Sequence, residues 1–565
     1  MTDYYIATDG SDSQTGSGID NPYATVAGLM SAISNNLSHS DRLFFRAGTY
    51  TATELNFGGS GDSVLDLNGV GRVPSLFSAY QNEAVTFDVS TTKNYIASLR
   101  NVATASSNLT YEIKGIRFEV TFTGTPGTGL LRFEQNTSDL KTTTYKITDC
   151  EFEQQDGSLD LSHGAIVCQA SGHDLTFIVD GCHATVIDVR AVNLANMSTK
   201  TIVRNSTFIN NAPNSGDSTS TSIAFFGARS GQDWDSHYQI YNNEFILNIG
   251  GATGTSQLLQ LDFINYSTVS NNLFQVNPKD GVAPSVNQAP WIYGIRYANQ
   301  TLVTYPNNKR NIKLAILDGN LFDFNHAKAK SITFYRSGID GSATDAGSKM
   351  VVKNNTMLGN PALRGEGTTQ NLTSFAIDTN NSLLSEFHIL DNNIEEHQDC
   401  IRLMSPNCHY VVEGNDCSQW GLDGTSSSSV AIALWAINNV ASATIRRNKF
   451  RYSQYGTGMY LADAISSGTM TVEDNLFVYH GPEKPTNNRY IAWSSPSAKL
   501  SLFTFNKNRY IGLDKLNDST IFAHTTATNI STALDAAGET GYKFNSLTRD
   551  LSNSVTKNVS NSLLD

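Results

Sequence analysis

The chain has 565 residues, a formal net charge of −13 and a pI near 5.3, which argues against nucleic acid as the partner. No run approaches ~18 apolar residues, so no segment is expected to span a membrane. Only 16% of residues are charged and only 13 are proline, a composition that suits a repetitive β protein with polar turns.

The N-terminal segment contains an Asp- and Gly-rich loop, an amphipathic helix and a strand. YYIATDGSDSQTGSGIDNPYATVAGLMSAI occupies residues 4–33, and DRLFFRAGTY occupies residues 41–50. Asn21 and Pro22 are the predicted N-cap and first residue of the helix. Its predicted apolar face is formed by Val26, Leu29, Met30 and Ile33.

This opening resembles that of right-handed β-helix carbohydrate proteins of the pectate-lyase-like superfamily, which includes alginate lyases and chondroitinase B. The resemblance implies that the helix caps an open solenoid end, where unpaired strand edges need cover. It implies the fold more specifically than the reaction, because one fold supports many activities. The lyase members use a Lys and an Arg beside a calcium ion, and residues 242–266 contain neither Lys nor Arg.

A turn motif recurs through the second half of the chain, with an Asn two residues before a side chain expected to point inward. The spacing varies from 22 residues (Asn393 to Asn415) to 48 (Asn272 to Asn320), as in solenoid coils whose loops differ in length. Asn tolerates the left-handed turn conformation, and its amide can stack on the next one as a ladder. The predicted ladder residues are Asn243, Asn272, Asn320, Asn355, Asn393, Asn415, Asn448, Asn475 and Asn508. Upstream, the same position is held by Cys150, Cys182 and Ser206.

Each repeat also contains a short run that alternates apolar and polar residues. Examples are LLQLDF (258–263), IYGIRY (292–297) and SFAIDT (374–379). Strict alternation predicts strands with one face buried, and no repeat shows a sustained helical period. The predicted fold is therefore all-β, a right-handed parallel β-helix of at least twelve coils. The predicted domains are an N-terminal cap (1–50), the β-helix (51–515) and a C-terminal closing segment (516–565).

The outward positions of these runs are the candidate catalytic residues, because a glycan would lie along such a face. Aligning the runs places Asp262, Arg296, Tyr335 and Asp378 in one column, which would span ~14 Å at ~4.8 Å per coil. In a lyase, Arg296 would neutralise a uronate carboxylate and Tyr335 would act as base or acid. In a hydrolase, Asp262 and Asp378 would be too far apart to act as a pair, so each would need another carboxylate close to it. Cross-strand ion pairs on a solvated face remain the structural alternative.

Other aromatic and cationic residues are candidate sugar contacts. They are Trp291, Tyr297, Arg229, Trp234, Arg336, Arg402 and Trp435. No metal ligands are predicted, and His163, His326 and His397, which lack metal-like spacing, are expected on the surface. Calcium is kept as the one candidate cofactor because residues 336–348 have the acids and glycines of a cation loop, although not the EF-hand spacing.

The expected function is polysaccharide binding with degradation, in the manner of a phage tailspike or tail receptor-binding depolymerase. The ligand would be a capsule, lipopolysaccharide or matrix glycan, and a homotrimer would be typical of that class. The alternatives are a secreted bacterial polysaccharide lyase or glycoside hydrolase, and a non-catalytic virion or adhesin shaft. Met1 leads into TDYYIATDG without a signal peptide, so we expect a virion tail or extracellular protein whose leader was removed or that leaves the cell at lysis.

Overall fold

The computed structural model describes most of the chain as short ordered stretches separated by gaps. The described residues are 1–13, 18–57, 63–68, 73–101, 109–122, 129–135, 142–155, 164–168, 175–187, 190–194, 200–211, 221–227, 235–249, 255–262, 264–278, 291–298, 312–324, 328–335, 345–359, 375–379, 384–397, 399–405, 407–419, 429–434, 440–452, 456–461, 467–479, 492–494, 502–511, 522–524 and 543–544.

Contacts divide the chain into two compact units. The first unit is Met1–Ala283 with Tyr305–Arg310, and the second is Pro284–Thr304 with Asn311–Asp565. The predicted boundaries of the cap, solenoid and closing segment stay predictions. Most of the predicted closing segment, 516–565, lies outside the described residues.

The first unit has two helices, α1 (Val26–Ala32) and α2 (Ala52–Leu55), and a 3-10 turn at Tyr80–Asn82. Its strands are β1 Asp3–Ile6, β2 Arg42–Phe45, β3 Gly48–Tyr50, β4 Ser63–Asn68, β5 Leu76–Ala79, β6 Val85–Thr91, β7 Tyr95–Asn101, β8 Leu109–Lys114, β9 Ile116–Phe122, β10 Gly129–Gln135, β11 Thr143–Thr148, β12 Glu151–Gln154, β13 Gly164–Cys168, β14 Leu175–Asp180, β15 His183–Val186, β16 Val192–Leu194, β17 Lys200–Arg204, β18 Thr207–Asn211, β19 Thr221–Gly227, β20 His237–Tyr241, β21 Glu244–Ile249, β22 Thr255–Asp262, β23 Tyr266–Ser270 and β24 Leu273–Pro278.

The second unit is built from strands alone among its described residues. They are β25 Trp291–Ala298, β26 Leu314–Asp318, β27 Leu321–Asp323, β28 Lys328–Tyr335, β29 Asp345–Lys353, β30 Thr356–Leu358, β31 Phe375–Asp378, β32 Leu384–Leu390, β33 Asn393–His397, β34 Asp399–Leu403, β35 His409–Glu413, β36 Asp416–Gln419, β37 Ser429–Leu434, β38 Ser442–Arg446, β39 Lys449–Tyr452, β40 Gly456–Leu461, β41 Thr469–Glu473, β42 Leu476–Tyr479, β43 Ala492–Ser494, β44 Phe503–Asn506, β45 Arg509–Ile511, β46 Phe522–His524 and β47 Lys543–Phe544.

In each unit every third strand pairs in parallel with the equivalent strand of the next coil, giving three parallel sheets. Sheet A contains β2 and β5 in the first unit and β26 and β29 in the second. Sheet B contains β3 and β6, then β27 and β30. Sheet C contains β4 and β7, then β25 and β28. Seven complete three-strand coils in each unit, β2–β22 and β26–β46, confirm the predicted right-handed parallel β-helix of at least twelve coils.

Helix α1 buries three of the four residues of its predicted apolar face, whereas Ile33 is its half-buried C-cap, and the helix begins later than predicted. Its N-cap is Thr25, whose Oγ1 accepts from the Gly28 N–H, so Asn21 and Pro22 lie before the helix. The Asp12 carboxylate accepts from the Thr25 N–H and Oγ1–H, which fixes the cap. Buried Val26, Leu29 and Met30 give the apolar side. Neither described helix is long and apolar enough to cross a membrane.

The asparagine ladder is the main polar structure inside each unit. Asn243 Nδ2 donates to Asn272 Oδ1 at 3.0 Å, and the Asn243 backbone N–H shares that acceptor at 2.9 Å. Upstream, the Ser206 N–H donates to Asn243 Oδ1, and the Cys182 N–H donates to Ser206 Oγ, so these residues hold the predicted ladder position. In these turns, side-chain amides form hydrogen bonds with buried backbone groups, as when Asn243 Nδ2 also donates to the Val203 carbonyl oxygen.

Two details of the predicted ladder were wrong. The left-handed residue is the one before each ladder Asn, for example Asn242 at φ 56° and Asn271 at φ 53°. In the DNNIE motif the ladder residue is Asn392, which accepts from the Asn355 N–H at 3.0 Å, whereas Asn393 lies in β33. The inward residue of that coil is therefore Ile394, which is fully buried, and the apolar column continues through it.

Candidate functional site

Sheet C differs from an exposed β-helix face because both of its sides are buried in several strands. All four residues of β31 are buried, including Asp378, which is 1% exposed. In β22, Gln260 and Asp262 are also buried. A buried polar group is tolerated only if neighbouring groups form hydrogen bonds or ion pairs with it. The residues around such a group are therefore constrained. The outer side of sheet C is accordingly the candidate site in both units.

In the second unit the strand register places charged residues in one outer column. Arg296 of β25 pairs with Thr333 of β28, Thr333 pairs with Asp378 of β31, and Asp378 pairs with Arg402 of β34. The same column continues through Ala433, Tyr460 and Trp493. Neighbouring positions are ~4.8 Å apart, so Asp378 and Arg402 are adjacent and Arg296 lies ~10 Å from Asp378.

The predicted alignment of Arg296 with Tyr335 was wrong. Tyr335 pairs with Ala298, two residues beyond Arg296, so it belongs to the neighbouring column. The backbone spacing still puts Tyr335 about 8 Å from Arg296 along the diagonal. The side chain of Tyr335 lies outside the described part of the structure.

Aromatic rings hold the arginines of this column in place. The Arg402 guanidinium lies 4.8 Å from the ring centroid of Phe375, and Arg296 lies 5.6 Å from that of Tyr293. In the first unit, Arg132 lies 5.0 Å from the ring of Tyr95. Cation–π contact is most favourable where water is partly excluded, and the planar guanidinium matches the geometry of a carboxylate. Half-buried arginines fixed in this way are suited to binding carboxylates.

Asp399 is a second buried carboxylate of the second unit that the sequence analysis missed. It is 7% exposed and begins β34, where it pairs with Phe375. Asp378 and Asp399 are therefore on adjacent strands, three residues out of register, about 11 Å apart at the backbone. The signal was weak because Asp399 precedes the apolar pair Cys400 and Ile401 and looks like a turn residue.

The first unit contains Asp262 in a separate polar cluster. Gln260 Nε2 donates to both Asp262 oxygens, at 3.2 and 3.1 Å, and holds that carboxylate in one orientation. Burial lowers the pKa of Arg190 from its ordinary value, while the charge of Asp262 acts in the opposite direction. Asp262 belongs to the first unit, whereas Arg296, Tyr335 and Asp378 belong to the second, so these residues form two clusters.

The predicted sugar contacts have different outcomes. Arg402 lies in the outer column of the second unit. Tyr297 is 2% exposed and packs in the core, so it is not offered for stacking on a sugar. Trp291 begins β25, but its side chain is not described. Arg229, Trp234, Arg336 and Trp435 lie outside the described residues.

The structure also bears on the histidine and metal predictions. Within the described ranges, no three His, Cys, Asp or Glu side chains are grouped to hold a metal ion. Residues 336–344, on which the calcium prediction mainly rests, are outside those ranges, as are His163 and His326. His397 was expected at the surface, but it is fully buried.

Comparison with known proteins assigns no family to this chain. No family model and no curated protein matches the sequence. One similar solved structure is that of a PL6 family alginate lyase, AlyGC, at 10% identity, covering 86% of this chain and 88% of that chain with a TM-score of 0.25. A TM-score of this size supports no inference about the reaction, so function is argued from the residues themselves.

Proposed function

We propose that the protein binds and cleaves an acidic polysaccharide on the outer side of sheet C in its second unit. The observation that carries this proposal is the Arg296–Asp378–Arg402 column, in which two ring-supported arginines flank a carboxylate that is 1% exposed. Arginine is the residue that best recognises a planar carboxylate through two parallel hydrogen bonds. The ligand is therefore a glycan that contains uronate residues.

The arrangement supports β-elimination. Arg296, the arginine nearer to Tyr335, would neutralise the carboxylate of the reacting uronate, which makes its C5 proton more acidic. Arg402, three strands from Arg296, would bind the carboxylate of another uronate along the chain. A base, with Tyr335 as our candidate, would remove that proton; the electron pair forms the C4–C5 double bond as the C4–O bond breaks. The departing oxygen takes a proton from an acid, and Asp378 keeps Arg402 correctly placed. One polymer then yields two chains, one with an unsaturated uronate end.

The test is turnover on a panel of polyuronates and neutral glucans. Products would be measured both by the ultraviolet absorbance of unsaturated uronate and by new reducing ends. Arg296→Gln should lower turnover by about 100-fold or more, because it removes charge stabilisation in the transition state. Arg402→Gln should weaken substrate binding and thereby lower kcat/KM. Tyr335→Phe should remove most of the remaining activity without a comparable loss of thermal stability.

Arg451→Gln is the matched control, since Arg451 is a half-buried arginine of sheet B, paired with Asp416 at 2.7 Å. It should leave turnover unchanged. Equal loss in this control would mean that the arginine substitutions act through stability, and full activity in Arg402→Gln would contradict the proposal.

Hydrolysis is the second candidate, and the pair of buried carboxylates favours it. Asp378 and Asp399 lie on adjacent strands about 11 Å apart at the backbone, and an inverting glycosidase would need their carboxyl groups to be about 6.5–9.5 Å apart. Reducing ends without unsaturated product, abolished by Asp378→Asn and by Asp399→Asn, would establish this reaction. If the wild type binds polyuronate but releases no product, binding alone is the function.

The biological setting belongs to the same proposal. A phage tailspike or tail receptor-binding depolymerase would act as a homotrimer on a capsule, lipopolysaccharide or matrix glycan, whereas a secreted bacterial lyase would act as a monomer. Light scattering on the purified chain separates the two, and a shaft protein would show neither glycan binding nor turnover.

A further inference from the structure

The outer side of sheet A in the second unit has a largely aliphatic stripe between two columns that carry charges. Strands β26, β29, β32, β35 and β38 pair in register, and their outward side chains are half-buried or exposed. The residues of the middle column are Ile316, Val351, His388, Val411 and Thr444. Apolar patches that are rimmed by polar residues commonly mark interaction sites.

One of the two outer columns has a charge order that is complementary to its own reverse. Its residues, in strand order, are Asp318, Lys353, Leu390, Glu413 and Arg446. Successive residues are ~4.8 Å apart, so the column is about 19 Å long. Reversing the column places Asp318 opposite Arg446 and Lys353 opposite Glu413. Leu390 is then opposite its own equivalent.

The charges at the two ends of this column form ion pairs within the chain. Lys353 Nζ lies 3.0 Å from Asp318 Oδ2, and Arg446 Nε lies 2.7 Å from Glu413 Oε2. Arg447, in the following turn, also pairs with Glu413. If a reversed copy of the column lay against this one, each ion pair would meet the other with opposite polarity and four charges would alternate. Networks of this kind contribute more than isolated exposed pairs.

We propose that this face of sheet A binds the same face of a second copy of the chain, related by a two-fold axis that runs along β32. The axis reverses the order of the strands, so opposite charges of the two copies face each other. Leu390 lies beside the axis and packs on its equivalent. In the middle column, Val351 packs on Val411 of the second copy.

The other two-fold arrangement is unfavourable. An axis perpendicular to the strands would place each strand on its own equivalent, with Lys353 against Lys349 of the second copy, because both lysines face outward from β29. In the proposed arrangement the adverse contact is Glu386 against its equivalent. Lys349 Nζ and His388 Nε2 each lie 3.3 Å from Glu386 Oε2, and the lysine offsets that repulsion.

The size of the face indicates how strong this dimer is. Five strands with five residues each cover about 24 Å by 16 Å, or roughly 400 Å² per copy. A stable interface buries about 800 Å² per partner, so the dimer is weak and depends on protein concentration. It differs from both a homotrimer and a monomer. It uses sheet A and not sheet C, so it does not rest on the proposed function.

Two charge reversals test the arrangement. In Arg446→Glu the new carboxylate faces Asp318 of the second copy, and in Asp318→Arg the new cation faces Arg446 of the second copy. Each variant alone therefore brings like charges together and should self-associate about tenfold more weakly or worse. In an equimolar mixture the two reversed charges face each other, so association should return to the wild-type level. Sedimentation velocity of the full chain over a range of concentrations measures this.

Arg204→Glu is the matched control, since Arg204 is an arginine of sheet A in the first unit, paired with Asp180 at 2.6 Å. It should self-associate like the wild type. Raising the salt from about 0.05 M to about 0.5 M should weaken wild-type self-association, because it screens the ion pairs of the rim. An equal loss in Arg204→Glu would mean that net charge governs association, which would overturn the proposed face.

A wild-type chain that stays monomeric, a trimer that the reversals leave intact, or a mixture that does not recover would each overturn the proposal. If either reversal prevents folding, Lys353→Glu and Glu413→Lys replace the first two variants and must show the same recovery on mixing. Recovery on mixing without polyuronate cleavage by the wild type would refute only the proposed function. Polyuronate cleavage by a strictly monomeric chain would refute only the dimer.

Discussion

His397 shows how one buried side chain can make the stability of a coil depend on pH. It ends β33 at a register shift after Ile394, next to Glu396, whose φ is +61°. Gly359 allows this bulge, because a Cβ there would lie 2.1 Å from the Glu396 carbonyl oxygen. The result is a fully buried imidazole whose pKa is lowered by burial from 6.5 to about 3.

Acid should therefore destabilise the protein through His397. Below pH 6.5 the unfolded chain binds a proton that the folded chain does not, so stability falls as the pH drops from about 6.5 to 3. At pH 5 the loss is about 2 kcal/mol. Hydrogen exchange of the β33 amides at pH 7 and pH 5 would measure it, and His397→Gln should remove this part of the pH dependence.

His409→Gln is the control, because His409 is exposed on β35 in the same unit. Its pH dependence should match that of the wild type. If His397→Gln keeps the full loss between pH 7 and pH 5, another group titrates and the assignment to His397 is wrong.

At the scale of the turn and strand, substitutions can test whether Asn392 or Asn393 is the ladder residue. Asn392 Oδ1 accepts from the Asn355 N–H and Nδ2, and Asn392 Nδ2 donates to Val352 O and Asn415 Oδ1. Asn392→Ala leaves several of these buried groups unpaired and should cost about 2–4 kcal/mol. Asn393→Ala should cost less than about 1 kcal/mol, since this side chain is half-buried and outside the ladder. Denaturant unfolding of the two variants measures the difference.

The reverse order, with Asn393→Ala the more damaging, would restore the register predicted from sequence. Asn393 donates to Glu395 on its own strand, so a small cost is expected from that contact.

The fold was predictable because every coil of a solenoid needs the same kind of turn residue and the same kind of inward-facing side chain. In the motif SNNLF, Asn272 marks the turn and Phe274 marks the inward side chain. The structure stacks the rings of Phe245 and Phe274 with their centroids 5.1 Å apart. The error at Asn392 came from a doubled asparagine, where a shift of one residue keeps the motif but reverses which side chain faces inward.

The candidate site was predictable only in part. Alternation identified Arg296, Asp378 and Arg402 as outward-facing, and the structure aligns them. Alternation alone could not show that Arg296 pairs with Thr333 and not with Tyr335, because loops of unequal length carry no register information. Burial of the outer side of sheet C, which makes Asp399 informative, depends on tertiary contacts that no local pattern encodes.

At the scale of the whole molecule, the net charge opposes the proposed ligand. A charge of −13 repels a polyuronate at long range, while in the proposed site Arg296 and Arg402 would attract its carboxylates at contact. The two effects respond differently to salt. The Debye length falls from about 30 Å at 0.01 M to about 8 Å at 0.15 M, which screens the long-range repulsion but hardly changes a contact of a few ångströms.

Association with a polyuronate should therefore become faster as salt is raised to 0.15 M, by about two- to tenfold, with little change in dissociation. Stopped-flow fluorescence with a labelled oligouronate would measure both rates, and a neutral oligosaccharide should show no salt dependence. Slower association at higher salt would mean that the local field of the arginines governs the encounter. In that case the two arginines would attract a polyuronate from a distance as well as bind it, and the acidic surface of the protein would serve solubility rather than ligand selection.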